Sequence, residues 1–332
     1  MKTKSEVKEP EPRWGVKLSD LTAKTGPIVA IILINWNNVK FTQEAIDSIF
    51  HKTQPSTRYG IIVVDNGSST HEVDILRGEY AAGEITHLIE NKKNEGYVVA
   101  SNQAIQLALL KGYDYILQFD NDAVIGAGAI EELLSVIEGN LEVGIVGAKI
   151  FYYDEPKRLQ WCGEEMNLWT GDIIGLSRGI TRVLGRPEFD ESKFDHIKEV
   201  GYVVSWCSLS RREVWEKIGL LDEQFFFGWE DNDFCLRASK AGFRIMWTPH
   251  ARVWHRYSSA FALDGHLQYH GPKTRFRFMK KHATKGQYIA FHLWFFGVHF
   301  WLATAYYLLW VRRPKIWLRF LKGVWDGFRG KD

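Results

Sequence analysis

The chain has 332 residues, of which 45% are hydrophobic and 14% aromatic, and its formal net charge is +2. This length allows one large domain or two small ones around a substantial core, and a charge so near neutrality argues against nucleic acid as the main partner. The three cysteines, Cys162, Cys207 and Cys235, lie far apart without a C-x-x-C pair. This spacing supports neither a zinc knuckle nor a disulfide framework and favours a reducing compartment.

Residues 1–26 are polar and contain prolines and charges but no apolar core segment. They predict a polar N-terminal extension and not a secretory signal. We therefore expect the catalytic part of the chain to work in the cytoplasm.

From residue 27 onward, apolar runs alternate with amphipathic ones, which predicts a series of βα units. Strands are predicted over residues 28–34, 61–64, 85–89 and 113–119, and helices over residues 41–50 and 98–110. This alternation favours a Rossmann-like α/β fold, in which a mostly parallel central sheet is flanked by helices and binds ligands at the carboxyl ends of its strands. Polar residues follow these ends, namely Asn35, Asp65, Asn91, Asp120 and Asp122.

The triplet Asp120-Asn121-Asp122 directly follows the fourth predicted strand. Two carboxylates at the exit of a strand suit a divalent cation such as Mg²⁺ or Mn²⁺, and proteins commonly share such a cation with the phosphate oxygens of a substrate. The triplet therefore predicts a site for a metal and a diphosphate. For an isolated triplet, the alternative is a solvated turn or a helix cap.

In the second half, residues 201–207 predict a strand, residues 211–218 a helix, and residues 219–223 a loop. The pair Glu230-Asp231 opens a further helix. Acids in a first helical turn can simply complement the helix dipole, or they can take part in proton transfer. Residues 243–247 predict another strand, and His255 follows it; a lone histidine is more often a structural residue than a metal ligand.

Residues 288–311 are apolar apart from two histidines and a threonine, and this length is sufficient to cross a bilayer. Their aromatic residues are spread along the segment instead of gathering at its two ends. The pattern therefore favours an interfacial or re-entrant helix pair over a membrane-spanning helix.

Residues 312–329 predict a basic amphipathic helix that suits anionic lipid headgroups. The alternative is a packing helix in a homodimer interface. The predicted basic stripe contains Arg312, Lys315, Arg319, Lys322 and Arg329 together with Asp326, and the predicted apolar face contains Trp317, Leu321, Val324 and Phe328.

Four motifs occur in an order and spacing that resemble the family 2 glycosyltransferases of GT-A fold, particularly their rhamnosyltransferase-like branch. The resemblance extends from residue 27 to about Ser259. The motifs are residues 31–37 (IILINWN), residues 63–68 (VVDNGS), Asn94-Glu95-Gly96 with Ser101-Asn102, and Asp120-Asn121-Asp122.

The resemblance implies a nucleotide-sugar donor and assigns roles to individual residues. Asp65 would accept a hydrogen bond from the pyrimidine base. The other residues expected to bind the nucleotide sugar are Asn35, Asn94, Gly96, Asn102, Asp120 and Asn121. The metal, Mn²⁺ or Mg²⁺, would be held by Asp120, Asp122 and His255, the last of which matches the family's V-x-H-x-x-x-S position.

Residues 230–237 (EDNDFCLR) resemble the family's E-D-x-D-x-C-x-R pattern. In that pattern the second acid is the general base that acts on the acceptor hydroxyl, so Asp231 is the predicted base and Glu230 its catalytic neighbour. We also expect Trp206 and Trp229 to contact the acceptor.

The resulting hypothesis is a metal-dependent inverting transferase that works on the cytoplasmic face of the membrane. It would use dTDP-rhamnose or a UDP-hexose and extend a glycan acceptor that is lipid-linked. Two alternatives remain: a polyprenyl-phosphate sugar transferase, and an inactive carbohydrate- or lipid-binding protein on the same fold. The catalytic domain is expected over residues 27–262, with a nucleotide-binding half (27–125) and an acceptor-binding and catalytic half (126–262, the catalytic half), followed by a membrane-associating region of aromatic and basic amphipathic helices over residues 263–332.

Overall fold

The computed structural model describes residues 26–174, 189, 194–226, 228–256 and 266–330. Almost all of the predicted N-terminal extension lies outside these residues, as does Ser259 at the end of the family motif.

The first half of the chain forms the predicted βα units. Strands β1 (Ile28–Asn35), β2 (Arg58–Asp65), β3 (His87–Glu90) and β4 (Tyr115–Phe119) are parallel and lie in the order β3-β2-β1-β4. Helices α1 (Val39–Lys52), α2 (Thr70–Ala81) and α3 (Tyr97–Lys111) connect them. The α/β prediction is thus confirmed. Helix α2 was not predicted, because it buries only Leu76 and so carries little apolar periodicity.

The second half extends the same sheet. It contributes β5 (Ala123–Ile125), α4 (Ala129–Glu138), β6 (Val143–Tyr152), β7 (Leu159–Trp161), the hairpin β8 (Glu165–Asn167) and β9 (Asp172–Ile174), β10 (Lys198–Glu199), β11 (Cys207–Arg211), α5 (Arg212–Ile218), α6 (Glu230–Lys240) and β12 (Arg244–His255). The main path of the sheet has the strand order β10-β12-β6-β11-β4-β1-β2-β3, and β11 lies antiparallel between β6 and β4. Strands β5 and β7 pair with β12 and β6, and the hairpin of β8 and β9 forms a separate two-stranded sheet. The two halves therefore share one core.

The prediction of a strand over residues 201–207 was wrong. The strand of this region, β11, begins only at Cys207, and the preceding residues form a bridge and turns. Tyr202, Val203 and Val204 are nevertheless almost fully buried, and Val203 packs against Gly147 of β6. The apolar run thus indicated burial on a face of the sheet and not membership of its hydrogen-bonded ladder.

Three helices follow the catalytic half: α7 (His266–His282), α8 (Lys285–Trp310) and α9 (Pro314–Arg329). They enclose a second core that also includes Phe225 from the catalytic half. Its buried members are Phe225, Phe276, Phe278, Met279, Phe291, Phe295, Phe320 and Val324. An ion pair of 2.6 Å between the buried Arg275 and the half-buried Asp172 further joins α7 to strand β9.

Helix α8 is one continuous helix and not the expected helix pair. It is the one helix among the described residues that is long and apolar enough to cross a membrane, and only 11% of its most apolar stretch is buried. Two π-helical segments interrupt its α-helical hydrogen bonding, at Phe295–His299 and Tyr306–Trp310.

The amphipathic pattern of α9 differs from the prediction. Asp326 does not lie on an exposed basic stripe but is buried and accepts a hydrogen bond of 2.9 Å from the Tyr269 hydroxyl. Phe328, in contrast, is exposed. The reason is steric: a Cβ at Gly323 would lie 2.1 Å from the Tyr269 carbonyl oxygen, so the small residue fixes the face that packs on α7.

Candidate active site

Asn35 and Asp65 end two adjacent parallel strands and face each other in register. Both side chains are fully buried. The Asn35 Nδ2 donates to Asp65 Oδ1 at 3.0 Å, and the Ser68 backbone N–H donates to Asp65 Oδ2 at 3.0 Å. Thr42 Oγ1 donates to Asn35 Oδ1 at 2.8 Å. Asn35 therefore orients the carboxylate that is predicted to recognise the base.

Asn66 has no predicted role, but its side chain organises the turn formed by residues 94–96. Its Nδ2 donates to Asn94 Oδ1 at 3.1 Å, and its Oδ1 accepts from Asn91 Nδ2 at 3.0 Å and from the Glu95 backbone N–H at 3.1 Å. Gly96 ends the turn at φ +90°, a conformation that favours glycine. The hydrogen-bond partners of Asn66 thus lie 25 to 29 residues away in sequence.

Trp36 is a second residue without a predicted role. It is 55% exposed and lies directly after β1, at the carboxyl edge of the sheet where Asp65 also lies. An exposed aromatic ring at such an edge can stack on a flat ligand.

Asn102 and Asn121 hold other parts of the protein. The Asn102 side chain donates to the Leu221 carbonyl at 2.9 Å and accepts from the Leu221 N–H at 3.0 Å. The Asn121 Nδ2 donates to Thr42 Oγ1 at 2.9 Å. The donor contacts expected of these two side chains stay predictions.

Asp120, Asp122 and His255 come together at the end of the sheet. Their potential ligand atoms all lie within 4.8 Å of one another, with His255 Nε2 at 3.2 Å from Asp122 Oδ1 and at 3.7 Å from Asp120 Oδ2. The end of β12 pairs with β5, so that His255 lies opposite Ala123, the residue after the acidic triplet. Two carboxylates and one imidazole form a suitable donor set for Mn²⁺ or Mg²⁺.

Two neighbours hold His255 in position for metal binding. Its Nδ1 lies 3.1 Å from Gln160 Oε1. In the neutral imidazole, a proton on Nδ1 donated to this oxygen leaves the Nε2 lone pair facing the two aspartates, whereas in the protonated imidazole Nε2 donates a hydrogen bond to Asp122. The Trp206 ring stacks on the imidazole, with centroids 4.6 Å apart and planes at 8°. The described ring contact of Trp206 is thus with His255, a predicted metal ligand, and its acceptor contact stays a prediction.

The electrostatics of the cluster favour a bound cation. Burial and the negative charge of Asp122 raise the pKa of Asp120 to about 7. Burial by itself would lower the pKa of His255, but its hydrogen bond to Asp122 and the charges of both aspartates raise it. A divalent cation would relieve the repulsion between the two carboxylates.

The acidic pair lies at the start of α6. Glu230 is buried, and burial together with the charge of Asp231 raises its pKa to about 8. Asp231 is half-buried and close enough to contribute to the raised pKa of Asp120. Trp229 precedes the pair at φ +73°, and its ring packs against Phe278 at 4.9 Å, so its predicted acceptor contact also stays a prediction.

Solved structures define the class of fold. The mannosyltransferase PcManGT from Pyrobaculum calidifontis, in complex with GDP-Man and Mn²⁺, has a TM-score of 0.57 at 13% identity, covering 93% of this chain and 89% of that chain. S. aureus TarS 1–349, in complex with UDP-GlcNAc, has a TM-score of 0.57 at 15% identity, covering 92% and 81%. The fold is therefore the GT-A fold of glycosyltransferases.

The family follows from the sequence match. Residues 27–266 match the model of glycosyltransferase like family 2, and the chain belongs to this family. The dTDP-rhamnosyl transferase RfbF of Shigella flexneri is 27% identical over 195 residues, which cover 59% of each protein. The chain spans 26 to 63% of the length of the first four curated relatives. The predicted family and fold class are confirmed.

The metal site can be tested by removing one ligand. Asp122→Asn should abolish Mn²⁺-dependent binding of UDP or dTDP, because a neutral amide is a weaker ligand than a carboxylate, while the unfolding temperature stays close to that of the wild type. Calorimetric titration with and without Mn²⁺ measures this. Asp47→Asn, at an exposed position of α1, is the matched control. Unchanged Mn²⁺ dependence in Asp122→Asn would contradict the assignment.

The raised pKa of Glu230 predicts a pH-dependent stability. The folded chain holds the Glu230 proton more tightly than the unfolded chain, because the pKa rises from 4.5 to about 8 on folding. The wild type therefore loses stability, relative to Glu230→Gln, as the pH rises through this interval. We expect the advantage of the variant in unfolding temperature, measured in excess EDTA, to grow from about pH 5 to about pH 9. The exposed Glu213→Gln should show no such trend.

Proposed function

We propose that this chain is a metal-dependent, inverting glycosyltransferase that moves a sugar from a nucleoside diphosphate donor to a hydroxyl group of a glycan acceptor. The observation that carries the proposal is the convergence of Asp120, Asp122 and His255 within 4.8 Å, beside an acidic pair at a helix start. Membership of glycosyltransferase family 2 supports the reaction class.

One set of residues acts on the leaving group, and another residue acts on the nucleophile. Asp120, Asp122 and His255 would hold a divalent cation, which supplies positive charge to the departing diphosphate. The oxygen of the acceptor hydroxyl attacks the anomeric carbon in line with the departing diphosphate, and Asp231 takes the proton of this hydroxyl. An inverting transfer requires only this one side-chain base and no covalent intermediate.

Asp231 is a better base than Glu230 for a physical reason. A group whose pKa is about 8 is mostly protonated at neutral pH and cannot accept a proton. Glu230 is also buried, whereas Asp231 is half-buried and reachable by a substrate.

The donor proposal rests on the carboxyl edge of β1 and β2. Asp65, braced by Asn35, and the turn of Asn94 and Gly96 would recognise the base, in agreement with a dTDP-rhamnose or UDP-hexose donor. RfbF is named a dTDP-rhamnosyl transferase, and the TarS complex contains UDP-GlcNAc. A panel of nucleotide sugars, each tested for Mn²⁺-dependent protection against thermal unfolding, would identify the donor. No Mn²⁺-dependent protection by any of them would contradict the proposal and favour an inactive binding protein.

The acceptor proposal rests on the C-terminal helices. Helix α8 exposes apolar side chains, among them Ile289, Leu293, Trp301 and Leu309, and α9 exposes Trp325, whose ring lies 5.2 Å from the Arg329 guanidinium. Arg319 and Lys322 of α9 are exposed as well. Exposed apolar surface beside cations suits an anionic membrane surface. We therefore propose a lipid-linked glycan as acceptor, reached from the cytoplasmic face of the membrane. A polyprenyl-phosphate acceptor and a homodimer through the same helices are the alternatives.

The general base can be tested by a substitution that preserves shape. Asp231→Asn cannot accept a proton, so turnover should fall by roughly 10²- to 10⁴-fold with little change in donor affinity. Steady-state kinetics and calorimetric donor binding measure the two quantities. Glu230→Gln should have a smaller effect. If Asp231→Asn weakens donor binding as much as turnover, Asp231 is a binding residue and not the base.

Membrane attachment can be tested by vesicle flotation of the full-length protein. A helix held at the interface partly by charge should be released by high salt or alkaline carbonate, because salt screens each cationic contact of about 1 kcal/mol. The double variant Arg319→Gln/Lys322→Gln should bind anionic vesicles more weakly, whereas Lys92→Gln/Lys157→Gln, on exposed loops of the catalytic domain, should not. Complete retention after carbonate washing would instead mean that α8 spans the bilayer.

A further inference from the structure

Helix α6 carries the proposed base. It is held by residues of α7, which lie beyond the part of the chain that matches the family. The family match ends at residue 266, which is also the first residue of α7. The last turn of α7 nevertheless contacts the first turn of α6, at Asp233, two residues after Asp231.

Asp233 is fully buried and accepts hydrogen bonds from three cationic or imidazole groups. His282 Nε2 lies 2.7 Å and Lys281 Nζ 2.6 Å from Asp233 Oδ1, and Arg237 Nε lies 2.8 Å from Asp233 Oδ2. Burial by itself would raise the pKa of Asp233, but the hydrogen bonds from His282 and Lys281 and the charge of Arg237 hold it at about 2. The carboxylate is therefore charged and its position is fixed on both oxygens.

The same groups also hold the loop that leads into α6. Lys281 Nζ contacts Asp222 Oδ2 at 2.6 Å, and the Arg237 guanidinium donates to the carbonyls of Ile218 at 2.7 Å and Leu220 at 2.8 Å. Lys281 and Arg237 thus connect the loop before α6 with α6 itself, and Lys281 connects both to α7.

A second contact from α7 acts at the residue before the acidic pair. Trp229 has a left-handed backbone at φ +73°, which is strained for a residue with a Cβ and persists where the surroundings enforce it. Its ring packs against Phe278 of α7 at 4.9 Å. Helix α7 therefore fixes both the start of α6 and its first full turn.

We infer that Asp233, gripped by Lys281 and His282, is a positioning residue that aims Asp231 at the acceptor hydroxyl. The inference rests on the proposed role of Asp231 as the base. It makes the end of α7 part of the catalytic unit, although α7 lies beyond the family match. Helix α9 packs on the other side of α7 through Gly323 and Gly327, so α7 lies between the base helix and an outer helix.

Four single variants of the full-length protein separate positioning from folding. Lys281→Met removes a charge at constant length, and His282→Phe removes the donor at constant ring size. His282→Gln retains an N–H donor at the position of Nε2. Lys280→Met, on the exposed neighbouring residue, is the matched control.

Three quantities are measured for each variant. Turnover and KM are determined with the nucleotide sugar that the donor panel identifies. The number of nucleotide sites per chain is titrated with UDP and dTDP in Mn²⁺, and hydrogen exchange is followed in peptides that cover 230–240.

We expect Lys281→Met and His282→Phe to lower turnover per nucleotide site by about 10- to 100-fold, with an unchanged donor KM and faster exchange in α6. His282→Gln and Lys280→Met should stay within about 2-fold of the wild type in turnover. A merely structural role would lower the number of sites and leave turnover per site unchanged, and this result would overturn the inference.

Unchanged exchange in α6 of both Lys281→Met and His282→Phe would also overturn it, since α7 would then not brace the helix. Failure of the proposed function is recognised separately, because Asp231→Asn itself would then retain full turnover. Whether or not Asp231 is the base, the comparison of hydrogen exchange in α6 shows whether Lys281 and His282 of α7 stabilise this helix.

Discussion

The constraint on which the rest of the structure depends is the electrostatic repulsion between two neighbouring, partly buried carboxylates, those of Asp120 and Asp122. Asp120 and Asp122 follow the innermost parallel strand, β4, where burial and mutual repulsion raise the pKa of Asp120 to about 7. His255 is brought to them by the pairing of β12 with β5, and Gln160 and Trp206 fix its ring. The arrangement is costly without a cation and favourable with one, which is typical of a binding site and not of a stabilising core contact.

Around this cluster, polar side chains are used mainly to hold other polar side chains. Asn35 supports Asp65, Asn66 supports the turn of Asn94 and Gly96, and Asn102 fastens the backbone of Leu221. Each of these amides is buried and hydrogen-bonded, so the edge of the sheet is preorganised before any donor binds. Asn35 and Asn102, which were predicted to bind the donor, thus make their described hydrogen bonds to other protein groups.

The C-terminal helices do more than cover the catalytic half. They add a second aromatic core, which receives Phe225 from the catalytic half. Ion pairs with one buried partner each join Arg275 to Asp172 and Lys281 to Asp233. Breaking such a pair would leave an uncompensated buried charge, so these contacts hold the helices in one arrangement. The exposed apolar side chains of α8 are therefore presented in a fixed orientation relative to α6.

The sequence by itself determined the βα order, the placement of Asp65, Asp120 and Asp122 at strand ends, and the start of α6 at Glu230. These features depend on local periodicity and on the rule that parallel strands present their carboxyl ends together. Only the tertiary structure decided that residues 202–205 are buried outside the hydrogen-bonded ladder of the sheet, that Asp326 faces α7, and that Lys281 and His282 reach Asp233. The reason is that burial and hydrogen-bond partners depend on residues distant in sequence: His282 lies 49 positions from Asp233, and no local pattern encodes that contact.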